Sequence, residues 1–312
     1  MTECIVRHVV RDCERDIPWV VLVRHSAFST TAMYLERAMQ KLCNVVSVYV
    51  DPFDLLYHLP RVLSARALRG YVKHLSNTDI HPDLVFVVDP VLKRLDLRIF
   101  KAPTAYYAID SHISFERHFK HAGVEEFDYV FVAQKDYVPK YREGGCEKVC
   151  WLPLACDPDI HRRYELPLCY DIAFIGKAIP GTERELLVSQ LQARYKMYAG
   201  RAYLHEMARI YSQSRIVFNK SIGGDLNMRV FEAMSCGRLL VTDSISNGLT
   251  ELFVDGEHLV IYRSLNDLLT KVENYLSDEE RREQIASKGA DEVRRKHTYA
   301  NRIEQIVNST LR

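Results

Sequence analysis

The chain has 312 residues, 47% of them hydrophobic, with 42 basic and 41 acidic side chains and a formal net charge of +1. That length supports a large core and favours two domains, while the near-neutral charge excludes a general field for gathering nucleic acid or an anionic membrane. No apolar run reaches the ~18 residues of a spanning helix, and charges such as Arg7, Arg11, Asp12 and Asp16 break any export signal, so a cytoplasmic protein with no membrane span is expected.

In chain order, short apolar runs alternate with segments of helical spacing. The first six are "WVVLVRH" (19–25), "NVVSVYV" (44–50), "LVFVVD" (84–89), "TAYYAID" (104–110), "YVFVAQ" (129–134) and "VCWLPL" (149–154). Five more follow: "DIAFIG" (171–176), "KMYAG" (196–200), "RIVFNKS" (215–221), "RLLVTD" (238–243) and "HLVIYRS" (258–264). Near-continuous Val, Ile, Leu and Phe mark strands covered on both faces, as in a parallel sheet flanked by helices. Helices are expected over 182–195, 203–214 and 264–278, the last capped by Ser264. The order argues for a doubly wound α/β fold. Eleven strands are too many for one ordinary open sheet, and the proline- and charge-rich segment 157–170 separates six from five. The expected domains are 1–160 and 161–296, each Rossmann-like, with a final helix over 297–312 that crosses back to the first domain through Tyr299, Ile303, Ile306 and Val307.

Eight cysteines lie at 4, 13, 43, 146, 150, 156, 169 and 236. The close trio at 146, 150 and 156 lacks a second tight pair, so reduced thiols are expected and no metal site.

Ligands of open parallel sheets bind beyond the carboxyl ends of the strands. There the first half places His25, followed by the small-residue turn "SAFSTTA", and Asp110 with His112. The second half places Lys177 after Gly176, Asn219 with Lys220, and Asp243. Taken singly, each is an ordinary residue of a chain returning to water. The density of "GGDLNMRVFEAMSCGRLLVTD" (223–243) shifts that balance. Gly223 and Gly224 permit left-handed backbone and close approach of a ligand. A helix is expected to start near Asp225 or Leu226, capped by Asp225 or Asn227, with its free N–H groups facing an anion such as a diphosphate. Arg229 and Glu232 share one face, and Gly237 ends the helix. A buried carboxylate needs donors: Glu232 either pairs with Arg229 or accepts both hydroxyls of a ribose.

"DIAFIG", "RIVFN", "DLNMRVFEAMSCGRLLVTD", "ELFVDGEHLVIY" and "HTYANRIEQI" resemble the signature of the CgeB-like (spore-maturation-protein-B-like) glycosyltransferases over roughly residues 170–307. The resemblance implies a GT-B fold, two Rossmann-like domains with a cleft between, and kinship with family-four glycosyltransferases. In that family two glutamates eight positions apart serve the donor. Glu232 matches the ribose glutamate, whereas the sugar-side one would fall at Gly224, so contact with the sugar must come from backbone, Asp225 or elsewhere.

The resulting expectation is a metal-independent, retaining transfer from a nucleotide-diphosphate sugar, which is a donor substrate and not a cofactor. Lys177, Lys220 and Arg229 would stabilise the leaving diphosphate. A carbohydrate or other glycan-type acceptor, with nucleic acid still open, would meet Asp110, His112 and His25 of the first domain. Asp110 serves as base if configuration inverts and orients hydroxyls if it is retained. Rival readings are a nucleotide-sugar epimerase or phosphorylase and a non-catalytic binding module. A dehydrogenase is disfavoured because no G-x-G-x-x-G follows the first strand.

Overall fold

The computed structural model describes residues 17–25, 31–50, 62–63, 69–70, 72–73, 80–90 and 94–311. By internal contacts the chain divides into two compact units, Met1–Pro153 with Ala300–Arg312, and Leu154–Tyr299.

The first unit is built on β1 (Trp19–His25), β2 (Asn44–Val50), β3 (Leu84–Val88), β4 (Thr104–Ala108), β5 (Tyr129–Val132) and β6 (Val149–Trp151). They form one parallel sheet in the order β2-β1-β3-β4-β5-β6. Every residue of β3 is buried, which is why its sequence is apolar without alternation. Helices α1 (Thr31–Leu42), α2 (Ser111–Arg117) and α3 (Val138–Glu143) belong to this unit.

The second unit holds β7 (Tyr170–Ile175), β8 (Met197–Gly200), β9 (Ser214–Phe218), β10 (Leu239–Asp243) and β11 (Val260–Tyr262). Its sheet is parallel in the order β8-β7-β9-β10-β11. Ile172, Phe174, Ile216, Phe218 and Val241 pack with Leu187 and Leu191 of α4 (Glu183–Gln192) in its core. Next come α5 (Leu204–Ser212), α6 (Met228–Ser235), α7 (Leu265–Ser277) and α8 (Glu279–Lys296). Ser264 caps α7 as expected, its Oγ accepting from Asp267 N at 3.2 Å.

The division of the chain at Pro153/Leu154 falls before the expected 160. Residues 154–163 are tied to the second unit instead. Cys156 bridges Thr298, and Ser235 Oγ donates to His161 O at 2.5 Å. The last helix, α9 (Tyr299–Thr310), joins the first unit from Ala300 onward. Ile303 and Ile306 are buried, and Arg302 Nε donates to Pro153 O at 2.7 Å.

In each sheet the chain reverses its direction of travel at one place: between β1 and β3 in the first unit, and between β7 and β9 in the second. Strand loops diverge at such a point and leave a crevice at the carboxyl edge. Among the described residues no helix is long and apolar enough to cross a membrane.

Candidate functional site

The crevice of the second unit is fixed by two arginines. Arg229, in the first turn of α6, reaches over the end of β7: its Nε donates to Ile175 O at 2.7 Å, and its Nη1 donates to Asn219 Oδ1 at 2.5 Å. Its guanidinium lies 4.9 Å from the Phe174 ring centroid. Gly176 leaves room for it; a Cβ there would stand 2.4 Å from Arg229 Nη2 and force the guanidinium to shift. Arg184, from the first turn of α4, donates to Lys177 O at 3.3 Å and to Lys220 O. Burial, then the neighbouring charge of Arg229, lowers the Arg184 pKa.

Asp243, at the end of β10, organises the facing loop. It accepts from Ser221 N at 2.8 Å and from Ser221 Oγ at 2.5 Å, and lies 3.2 Å from Lys220 Nζ. These partners occupy it, so the structure places Asp243 beneath the loop as its support. Lys220 Nζ is also 3.0 Å from Glu183 Oε2. Burial works to lower the Lys220 pKa, but bonds to Glu183 and Asp243 outweigh it and raise the value.

Gly223 and Gly224 follow with φ of +58° and +77°, in the left-handed region expected of them. Their turn is closed by Asp225, whose Oδ1 accepts from Ile222 N at 2.5 Å. The carboxylate is thus turned back on the glycine loop, and α6 begins later than expected, at Met228, with Asn227 as an N-cap that makes no side-chain capping bond. Lys177, Ile179, Arg184, Lys220, Gly223 and Gly224 line a pocket of about 350 Å³. The pocket wall thus combines basic side chains and turn backbone, the kinds of group that anions bind in proteins, with the Glu183 carboxylate.

Glu232 sits one turn after Arg229, yet the two form no ion pair, because Arg229 is taken by Ile175 and Asn219. The Glu232 side chain is only 7% exposed, with Oε1 3.6 Å from Nε2 of fully buried His161. His161 Nδ1 accepts from Asp157 N at 3.0 Å, which leaves the Nε2–H pointing towards the carboxylate. Burial raises Glu232 to about 7 against the lowering effect of Arg229, and burial lowers His161 to about 4. A gap of 3.6 Å is too long for a full hydrogen bond, so the carboxylate keeps capacity for better donors. It lies deeper than a residue at an open mouth.

At the carboxyl edge of the first unit, His25 ends β1 half-buried and Asp110 is exposed at the start of α2. Asp110 N donates to Asp89 Oδ2 at 3.0 Å, and Asp89 Oδ1 is 3.1 Å from His118 Nε2. Tyr141 OH links His118 Nδ1 to Ser111 Oγ, the latter at 3.1 Å. His112 Nδ1 is buried without a hydrogen-bond partner. The turn 26–30 lies outside the described residues, as do Cys4 and Cys13.

Arg184, Glu183, His161 and His118 are absent from the sequence reading. The first two sit in "TERELLVSQL", whose charges look like a solvated helix face, and the histidines acquire partners only through folding.

Two parallel-sheet units with their polar chemistry at the carboxyl edges have the GT-B fold. Anabaena HepE, solved with UDP and glucose, superposes with a TM-score of 0.64 at 12% identity, over 94% of this chain and 99% of that one. A glycosyltransferase from Rickettsia africae gives 0.61 at 9% identity over 95% and 98%. An alpha-glucosyltransferase solved with UDP-glucose and DNA containing an abasic site gives 0.63 at 11% identity over 94% and 99%.

Residues 172–308 match the family described as glycosyl transferase-like. The match spans most of the second unit and continues into α9, so this part of the chain is similar to glycosyl transferase-like domains. No curated protein matches the chain.

Proposed function

We propose that the protein transfers a sugar from a nucleotide-diphosphate donor to a hydroxyl-bearing, glycan-type acceptor, with retention of anomeric configuration and without a metal ion. One observation carries this reading: the switch-point pocket of the second unit is walled by Lys177, Arg184 and Lys220. When the glycosidic bond breaks, negative charge builds on the leaving diphosphate. Donors fixed before the reaction stabilise that charge without reorganising. Arg184 and Arg229 hold the two loops that carry the lysines, so the lysines are set by structure already made.

Glu232 is assigned to the ribose. A diol offers two O–H donors to a carboxylate that burial has made proton-hungry, and would replace the weak approach of His161 Nε2. Uracil is the base we favour, since HepE and the alpha-glucosyltransferase were solved with UDP or UDP-glucose. The acceptor falls to the first unit, where exposed Asp110 would orient hydroxyls, with His112 two residues on and His25 at the end of β1 on the same sheet edge. Retention, and affinity with the CgeB-like and family-four enzymes, rest on the sequence resemblance.

A panel of nucleotide sugars screened by thermal shift tests the donor site, because a ligand of the native state raises its melting temperature. A UDP-sugar should raise it, and adding the right acceptor should release UDP with a new glycoside. Absence of any shift by nucleoside diphosphates would remove the donor pocket. Release of free sugar or of an epimer without acceptor would replace the transferase by one of its rivals.

A further inference from the structure

The donor pocket contains something a phosphate site does not need, a carboxylate already seated on its lysine. Lys220 Nζ has three N–H donors, and two acids approach it, Asp243 Oδ2 at 3.2 Å and Glu183 Oε2 at 3.0 Å. The two acids differ in what holds them. Asp243 has an 8% exposed side chain and also carries Ser221 N and Oγ, so it cannot leave without unmaking the loop. Glu183 opens α4 with a 66% exposed side chain, and Lys220 is its one ion-pair partner among the described residues. It can swing into water at little cost.

We propose that Glu183 is an internal competitor of the donor's diphosphate. It occupies Lys220 in the free protein, yields that place to a phosphate oxygen on binding, and returns as the nucleoside diphosphate departs. The proposal rests on the pocket being the diphosphate site argued above. Its physical content is charge. A diphosphate arriving beside Lys220 would face two carboxylates, and the exposed one is the one able to withdraw. An anion with a single charge offers less in exchange, so Glu183 also favours adjacent phosphates over a lone one. On the return path, its re-pairing with Lys220 speeds product release.

Calorimetric titration with UDP, repeated with inorganic pyrophosphate, tests this on the full chain. E183Q should bind both about fivefold more tightly than wild type, with the gain shrinking as salt is added. Glu185 accepts from Ser189 Oγ at 3.0 Å. Its variant E185Q should change affinity less than about twofold, which separates a specific contact from mere loss of negative charge. In a Lys220→Ala background the E183Q gain should vanish, because the contested cation is gone. If wild type binds UDP and E183Q binds it equally or more weakly, the competitor is overturned while the donor site stands. An E183Q gain that survives Lys220→Ala also overturns it. If neither wild type nor E183Q binds UDP or pyrophosphate, the donor site itself fails and the proposal falls with it.

Discussion

The two units share a parallel architecture and a switch point, but their carboxyl edges carry opposite chemistry. The edge of the second unit gathers Lys177, Arg184, Lys220 and Arg229 around a glycine turn. That of the first gathers Asp89 and Asp110 with His112 and His118: Asp110 N donates to Asp89 Oδ2, and Asp89 Oδ1 lies 3.1 Å from His118 Nε2. The proposed function assigns the two edges of one scaffold to two tasks. The strand order decides where a site can form, and the residues just past the strands decide whether it receives a phosphate or a hydroxyl.

If that contrast is right, damage to each edge should fail differently. Asp110→Asn should lower transfer by about a hundredfold through lost positioning of the acceptor, while calorimetric UDP affinity stays within twofold of wild type; a matching loss of UDP binding would erase the division of labour. Glu232→Ala should weaken UDP binding by about 2 kcal/mol, roughly thirtyfold, with a melting transition still present. An unaltered Kd would return Glu232 to a purely internal role against His161. Lys220→Ala should cost about tenfold in UDP affinity and more in turnover, with less effect on the fold. A fully active variant would remove this lysine from the site.

A subtler distinction is in pH. Glu232 has its pKa raised to about 7 by burial, and a diol binds best to its ionised form. UDP affinity should therefore fall as pH drops below about 7 and level off above it, by up to about tenfold between pH 8 and 6. Stability moves the other way through this group. Its folded value exceeds the 4.5 of the unfolded chain, so between 4.5 and 7 the native state holds a proton that the unfolded state has lost. Stability falls as pH rises through that window. His161, lowered to about 4, opposes this by favouring the native state as pH climbs towards 6.5. The difference between wild type and Glu232→Gln in urea denaturation at pH 5 and pH 8 isolates the carboxylate. Identical pH dependence of the two proteins would show that Glu232 does not titrate there.

Much of this molecule is readable from its residues. The eleven expected strands are present, because a strand covered on both faces leaves an unbroken apolar run such as Leu84–Val88. The strand ends gave Lys177, Asn219, Lys220 and Asp110 as residues of the carboxyl edges. What stayed hidden depends on partners far apart in sequence. Arg184 and Glu183 have the local pattern of a solvated helix, and only the turn after β9 makes them part of a pocket. The start of α6 was misplaced because Asp225 looks like a cap, whereas it is consumed by the Ile222 N–H of the glycine turn. The neighbour of Glu232 also stayed hidden, because His161 lies 71 positions away in sequence and reaches it only through folding.

The two guanidiniums near Phe174 have a consequence of their own. Arg229 and Arg184 lie 4.9 Å and 5.8 Å from one ring, so like charges are confined together by hydrogen bonds to main-chain carbonyls. The two like charges repel each other, Asp225 and Asp243 offset part of that repulsion, and a bound multivalent anion would offset more. The thermal midpoint of the unliganded protein should thus be higher in phosphate or sulfate buffer than in a cationic amine buffer of equal ionic strength.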